Sequence, residues 1–192
     1  MKISEAAKLT GMNVSSIRFY ERKGLLLPER ESGSKYRDYT EVIDEVWFFF
    51  DVETKDINKW NERYRIIKKL RKLRKDQNIR VRLLMTSGCI EYWFMLHKKY
   101  YIPPLQSVAE KEKVIADLKV EEPLYEKGNR AITAKIAEDY PIAVKNAART
   151  MNRLLEDGMP MLEDTDVRNQ WLCKNCKTFS NVHEAIKYLE NL

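Results

Sequence analysis

Three stretches of the sequence carry side chains whose types and spacing could do chemistry. Between Asn13 and Tyr39 (NVSSIRFYERKGLLLPERESGSKYRDY), hydroxyls, guanidinium groups and phenols recur on a short helical pattern and then on a Gly-containing loop. That is the donor set that grips phosphate oxygens and reads base edges. Cys173 and Cys176 stand at Cys-x-x-Cys spacing, with His183 near in sequence and Cys89 remote. Such thiolates suit zinc, a soft metal or a redox pair, and a closed zinc site needs four ligands, so Cys89 and His183 would both have to come in. The plainer reading is ordinary thiols. In the third stretch, FFFDVETK, a strand would put Asp51, Glu53 and Lys55 on one face, because strand side chains alternate.

The first stretch needs two short helices to present it. Residues 1–11 fit one: Ser4 caps it, Ala6, Ala7 and Leu9 face inward, and Gly11 takes the left-handed C-terminal position. Asn13 caps the next helix, with Val14, Ile17 and Phe19 inward and Ser15, Ser16, Arg18 and Lys23 outward. A tight turn between two such helices makes a helix-turn-helix candidate, with the second helix as reader. Gly24 ends it and Pro28 fixes a bend. Gly33 then tips a loop carrying Lys35, Tyr36, Arg37 and Tyr39, the composition of a wing that lies along a phosphate backbone.

With those residues in place, the region resembles the MerR family of bacterial transcription regulators. The matching elements are Arg18-Phe19-Tyr20-Glu21 on the reader helix, Gly24-Leu25-Leu26 with Pro28 and Arg30 in the connection, and Gly33, Tyr36, Arg37 and Tyr39 on the wing. The resemblance implies a homodimer that binds a pseudo-palindromic promoter site and distorts double-stranded DNA, meeting RNA polymerase indirectly. It implies no catalysis. The contact residues expected are Ser15, Ser16, Arg18, Tyr20, Lys35, Tyr36, Arg37 and Tyr39. Beyond Thr40 such a regulator continues as a helix; EVIDEVWFFFDVETKDINKWNERY keeps the apolar spacing Val46, Phe49, Ile57 and Trp60 but has no glycine at the turn. A related alternative is an excisionase-like architectural protein of a phage or mobile element. A rival of another class is a metal-dependent nuclease: Asp51, Glu53 and Lys55 faintly resemble the metal-binding residues of restriction-like nucleases, and Trp171 to Cys176 resembles the Trp-x-Cys-x-x-Cys end of some RecB-like relatives. Against it, the plainer reading of 51–55 is a solvated turn between two helices.

The remainder supplies a frame. Trp60, Tyr64, Ile67, Leu70 and Leu73 form an amphipathic helical stripe, and between Asn61 and Met85 ten Lys or Arg face only Glu62 and Asp76. That basic stretch either adds phosphate contacts or is a solvated helix face. Alternation over Ile79, Val81, Leu83 and Met85, followed by CIEYWFML and HKKYYI, suggests a small antiparallel meander, with a buried helix over 89–96 as the other option. The aromatics around Trp93 read as core, or as the lining of a metabolite pocket. Ser107 with Glu110 is a capping-box pattern that opens a helix to about Lys119. Pro141 splits two helices over 130–157, Gly158 ends the second, and a last helix starts near Asn181.

These features predict a mainly α fold with a small β component. They divide the chain into a winged helix-turn-helix domain over 1–76 and an α+β regulatory or dimerisation region over 77–192. The formal net charge of +6, with a sequence pI near 9.1, permits a nucleic-acid partner without requiring one. With no long apolar window and no signal-like start, the expected location is the cytoplasm, on the nucleoid. No cofactor is expected beyond a soft metal or zinc at Cys173 and Cys176.

Overall fold

The computed structural model describes residues 2–10, 13–22, 29–30, 37–38, 45–72, 80–175 and 177–191. The fold is mainly α with a small β component. Two compact units are present, one of Met1–Trp47 with Asn61–Arg82, the other of Phe48–Trp60 with Leu83–Leu192.

The first unit opens with α1 (Ile3–Thr10) and α2 (Val14–Arg22). Their shared core is small: Ala6, Ala7 and Ile17 are buried, with Ile3 and Val14 packed against them. Two alanines on α1 let the helices approach closely. Strands β1 (Glu29–Arg30) and β2 (Arg37–Asp38) pair antiparallel, Glu29 opposite Asp38 and Arg30 opposite Arg37. After Trp60, helix α3 (Trp60–Arg71) buries Ile67 and Leu70 along the stripe that the spacing predicts. Leu73 lies outside the described residues.

Strand β3 (Glu45–Val52) stands where the regulator layout predicts a helix. The run VWFFF explains the difference: β-branched and aromatic side chains fit a pleated surface better than a helix, where they lose rotamer freedom. At its start the Glu45 carboxylate accepts hydrogen bonds from Trp47 Nε1 at 2.7 Å and Arg82 Nε at 2.9 Å. Burial would raise the Glu45 pKa, but the Arg82 and Trp47 hydrogen bonds outweigh it and hold the carboxyl below its usual value. A 3-10 helix, Thr54–Lys59, follows β3, so residues 53–55 leave a strand and enter a helical turn. Strand β4 (Arg80–Ser87) pairs with β3.

In the second unit, α4 (Ile90–Lys98) is the buried helix that stood as the other option over 89–96, in place of the antiparallel meander. Tyr92, Trp93, Met95, Leu96 and His97 are all buried, so this segment is enclosed on nearly every side and shows no alternation to read. It packs on α5 (Val108–Glu121), α6 (Arg130–Ala137) and α7 (Tyr140–Glu156). Trp93 belongs to this core beside Phe94, Leu96 and Tyr125, which is the core reading of the aromatics. The Ser107 capping box forms, with Glu110 N–H donating to Ser107 Oγ at 3.3 Å and Ser107 N–H to Glu110 Oε2 at 2.8 Å. Pro141 sits in the first turn of α7, where its missing N–H costs nothing.

Residues 178–181 extend the edge of β4. Ser87 N–H donates to Phe179 O at 2.9 Å, Asn181 N–H to Met85 O at 3.0 Å, and Asn181 Nδ2 to Leu83 O at 2.8 Å. Asn181 is therefore engaged on the strand, and α9 (His183–Glu190) begins two residues later than the capping pattern suggests. Helix α8 (Asp166–Asn175) carries Arg168, whose guanidinium is fully buried. It donates to Glu184 Oε1 at 2.6 Å, to Glu184 Oε2 at 3.1 Å and to Asp164 at 3.3 Å, tying α8 to α9.

Candidate functional site

The helix pair of the first unit presents α2 outward. Ile17, at 3 % exposure, holds the helix to α1, while Ser15 and Arg18 are exposed. Ser16 and Tyr20 lie on the same helix, but their side chains are outside the described set. Phe19 does not face inward as the spacing predicts; it is 46 % exposed. One turn of helix cannot bury 14, 17 and 19 together, because 14 to 17 spans 300° and 17 to 19 a further 200°. Arg37 lies on β2, and Lys35, Tyr36 and Tyr39 fall outside the described residues.

In the second unit, polar side chains from β3, the 3-10 helix, α4, α5 and the connection after α5 lie near the far end of β3. Asp51 and Glu53 flank Val52, which is buried at 3 %, so both acids turn away from the core as strand alternation requires. Gly88 N–H donates to Val52 O at 2.9 Å, pinning this end of β3 beside the turn into α4. Gly88 takes φ +69°, and a Cβ there would come within 3.2 Å of Leu105 O, so the turn specifically needs glycine. Three residues on, in the first turn of α4, Glu91 is wholly buried. Its Oε1 accepts from Tyr125 Oη at 3.1 Å and lies 3.4 Å from Lys127 Nζ.

Glu53 is paired with both Lys111 of α5 and Lys55 of the 3-10 helix. Those two hydrogen-bonded lysines hold its carboxyl below the ordinary value. Asp51 is shifted the other way: partial burial raises its pKa first, and the charges of Glu53 and Glu91 raise it further. Burial pushes the adjacent Cys89 thiol up to about 11, so it is protonated near neutral pH. Lys55 pairs with Glu53 from the helical turn after the strand, not from a strand face shared with Asp51. The solvated turn between two helices is not what residues 51–55 form. Glu91 escaped sequence reasoning; its only signal is a lone carboxylate in the apolar run CIEYWFML, directly after a glycine turn.

The Cys-x-x-Cys stretch is half visible. Cys173 is buried on α8 with Sγ 3.6 Å from Met85 Sδ, and Cys176 lies outside the described residues. His183 is 5 % exposed at the start of α9, and Cys89 precedes α4. Among the described residues, no three His, Cys, Asp or Glu side chains already stand around a common metal position. No helix among them is long and apolar enough to cross a membrane.

A family model described as RloB-like protein matches residues 3–189. The chain belongs to that family. Within this RloB-like chain, a shorter stretch is similar to curated regulators. The HTH-type transcriptional regulator CueR of Escherichia coli O6:H1 is 51 % identical over 41 residues, 21 % of this chain and 30 % of the relative. CueR of Vibrio cholerae serotype O1 is 54 % identical over 41 residues, with the same coverage of both chains. A probable heavy metal-dependent transcriptional regulator of Haemophilus influenzae is 54 % identical over 41 residues, 32 % of its own length. The chain thus spans about a third of these relatives, and the likeness to MerR-type regulators is one of a helix-turn-helix region within an RloB-like protein. No solved structure matches.

Proposed function

We propose that the protein binds double-stranded DNA sequence-specifically through its N-terminal helix pair and acts as a transcription regulator. One observation carries this reading: a stretch about half identical to helix-turn-helix regulators coincides in kind with two short helices on a tiny alanine-rich core, the second exposing Ser15 and Arg18. Arg18 and Ser15, with Ser16 and Tyr20, contact base edges and phosphates from the groove; Lys35, Tyr36, Arg37 and Tyr39 hold the flanking backbone from a wing carried by β1 and β2. The first 76 residues supply the DNA contact and residues 77–192 the regulation or dimerisation. The operator is a pseudo-palindromic promoter site bound by a homodimer, with RNA polymerase affected through the DNA. The protein then works on the nucleoid in the cytoplasm, as a non-enzymatic regulator. The same reading keeps Cys173 and Cys176 as soft-metal or zinc ligands, consistent with the Met85 sulfur beside Cys173.

Selection of bound duplexes from a random pool tests this. Enrichment of a sequence with dyad symmetry supports the regulator, and repeated tandem sites support the excisionase-like alternative. Cleavage of duplex DNA in magnesium or manganese that is lost in Glu53→Ala would replace both with a metal-dependent nuclease.

A further inference from the structure

The basic stretch after Trp60 has no part in the DNA contacts of the helix pair and wing, and α3 sorts its charge onto one face. Arg65, Lys68 and Lys69, with Lys72 just past the helix end, are all exposed, and spacings of three, four and seven residues stack them in a single stripe. Lys72 N–H still donates to Lys69 O at 3.2 Å, so the last of them continues the turn. On the opposite side Ile67 and Leu70 are buried, which fixes the stripe outward. Among the described residues none of these cations is paired with a carboxylate, and Glu62, the only acid of the helix, stands a turn before Arg65 without bonding it. Lys68 Nζ instead lies 4.5 Å from the centre of the Tyr64 ring. In the second unit, by contrast, the exposed Lys99, Lys113, Lys127 and Lys135 each sit beside a carboxylate. Like charges three and four residues apart on a helix repel, so Arg65 and Lys72, each that far from both Lys68 and Lys69, weaken the helix they stand on. The helix dipole favours cations only in the last turn and does not account for Arg65. A polyanion laid along the stripe offsets the repulsion.

We propose that Arg65, Lys68, Lys69 and Lys72 form a phosphate-binding stripe for double-stranded DNA, a sequence-independent grip added to the contacts of the helix pair. The inference rests on the DNA-binding reading of that pair and deepens it. Residues 61–72 share the first compact unit with α1 and α2, which makes the duplex read by α2 the polyanion at hand. From Arg65 to Lys72 a helix rises about 10 Å, the axial rise of about three phosphates on one strand of a duplex. Lysine and arginine arms at that spacing hold a backbone without reading bases. The stripe supplies affinity and salt dependence, while Arg18 and its neighbours on α2 supply the choice of sequence.

The test is fluorescence anisotropy of the full chain over a salt series, on a selected duplex and on a random one, comparing the native protein with a variant carrying Arg65→Gln, Lys68→Gln, Lys69→Gln and Lys72→Gln together. Each phosphate contact steepens the fall of log Kobs with log salt by about 0.9, so the variant's slope should be shallower by about 3 to 4 on both duplexes. Between about 50 and about 200 mM salt the native chain should then lose about a hundredfold more affinity than the variant. Glutamine is as good a helix former as lysine on an exposed face, and a thermal melt no lower than the native one verifies the fold. Equal slopes in the two proteins overturn the proposal, as does duplex RNA of the same sequence competing better than DNA for the native chain. A slope difference on both duplexes with no preference between them supports the stripe while removing the sequence-specific reading, so the two fail separately.

Discussion

His183 couples stability to pH in a way that can be measured alone. The ring is 5 % exposed at the start of α9, and burial, aided by the Lys187 and Arg168 cations, lowers its pKa from 6.5 to about 4; a hydrogen bond to the Ser180 backbone opposes the shift only partly. The unfolded chain takes up the proton near 6.5, the folded chain not until about 4, so stability falls as pH drops through that window. Between about pH 7.5 and about pH 4.5 the loss attributable to this ring is about 2 to 3 kcal/mol. His97, also lowered by burial, adds to the acid loss, and Glu184, raised by burial, works against it. The total slope therefore does not isolate His183, but a difference does. Urea unfolding of the native chain and of His183→Gln at both pH values should show the variant losing about 2 to 3 kcal/mol less on acidification. Equal losses in the two proteins would refute a buried neutral imidazole at this position.

Other expectations follow from single contacts. Arg168→Ala leaves Glu184 and Asp164 facing a buried void without their cation, and urea unfolding should register a loss of about 3 to 5 kcal/mol. Gly88→Ala forces a Cβ against Leu105 at a left-handed φ, costing on the order of 1 to 3 kcal/mol by thermal melt, with the α4 core the first part to loosen. Arg18→Ala should weaken duplex binding by about 1 to 3 kcal/mol in fluorescence anisotropy while leaving the melting temperature unchanged. Cys89, with its thiol at about 11, should resist alkylation in the folded protein near neutral pH and react only on unfolding, as read by mass spectrometry.

Local chemistry was the legible part of this chain. The Ser107 capping box, the proline in the first turn of α7 and the two short N-terminal helices each rest on residues within four positions of one another, and each forms where the spacing indicates. What failed depended on burial from outside the segment. Residues 90–98 are enclosed by α5, α6 and α7, so their pattern is apolar all round and mimics short strands. Asn181 has a capping signature three residues before Glu184, but its amide was taken by β4, nearly a hundred positions away in sequence. The strand at 45–52 was obscured by an assumed continuation of the regulator layout past the helix-turn-helix region, whereas its own aromatic composition favoured β structure. The acids near this end of β3 were half legible for the same reason: Asp51 and Glu53 announce themselves by alternation, while Glu91 lies across the Gly88 turn, far off in sequence.

DNA contact by the α1–α2 pair is the central claim, and duplex selection followed by anisotropy with the full chain tests it most directly. The account predicts enrichment of one dyad-symmetric sequence, bound with an affinity that falls as salt rises and that Arg18→Ala weakens. A pool that emerges without any enriched sequence, or binding that Arg18→Ala leaves unchanged, would contradict it.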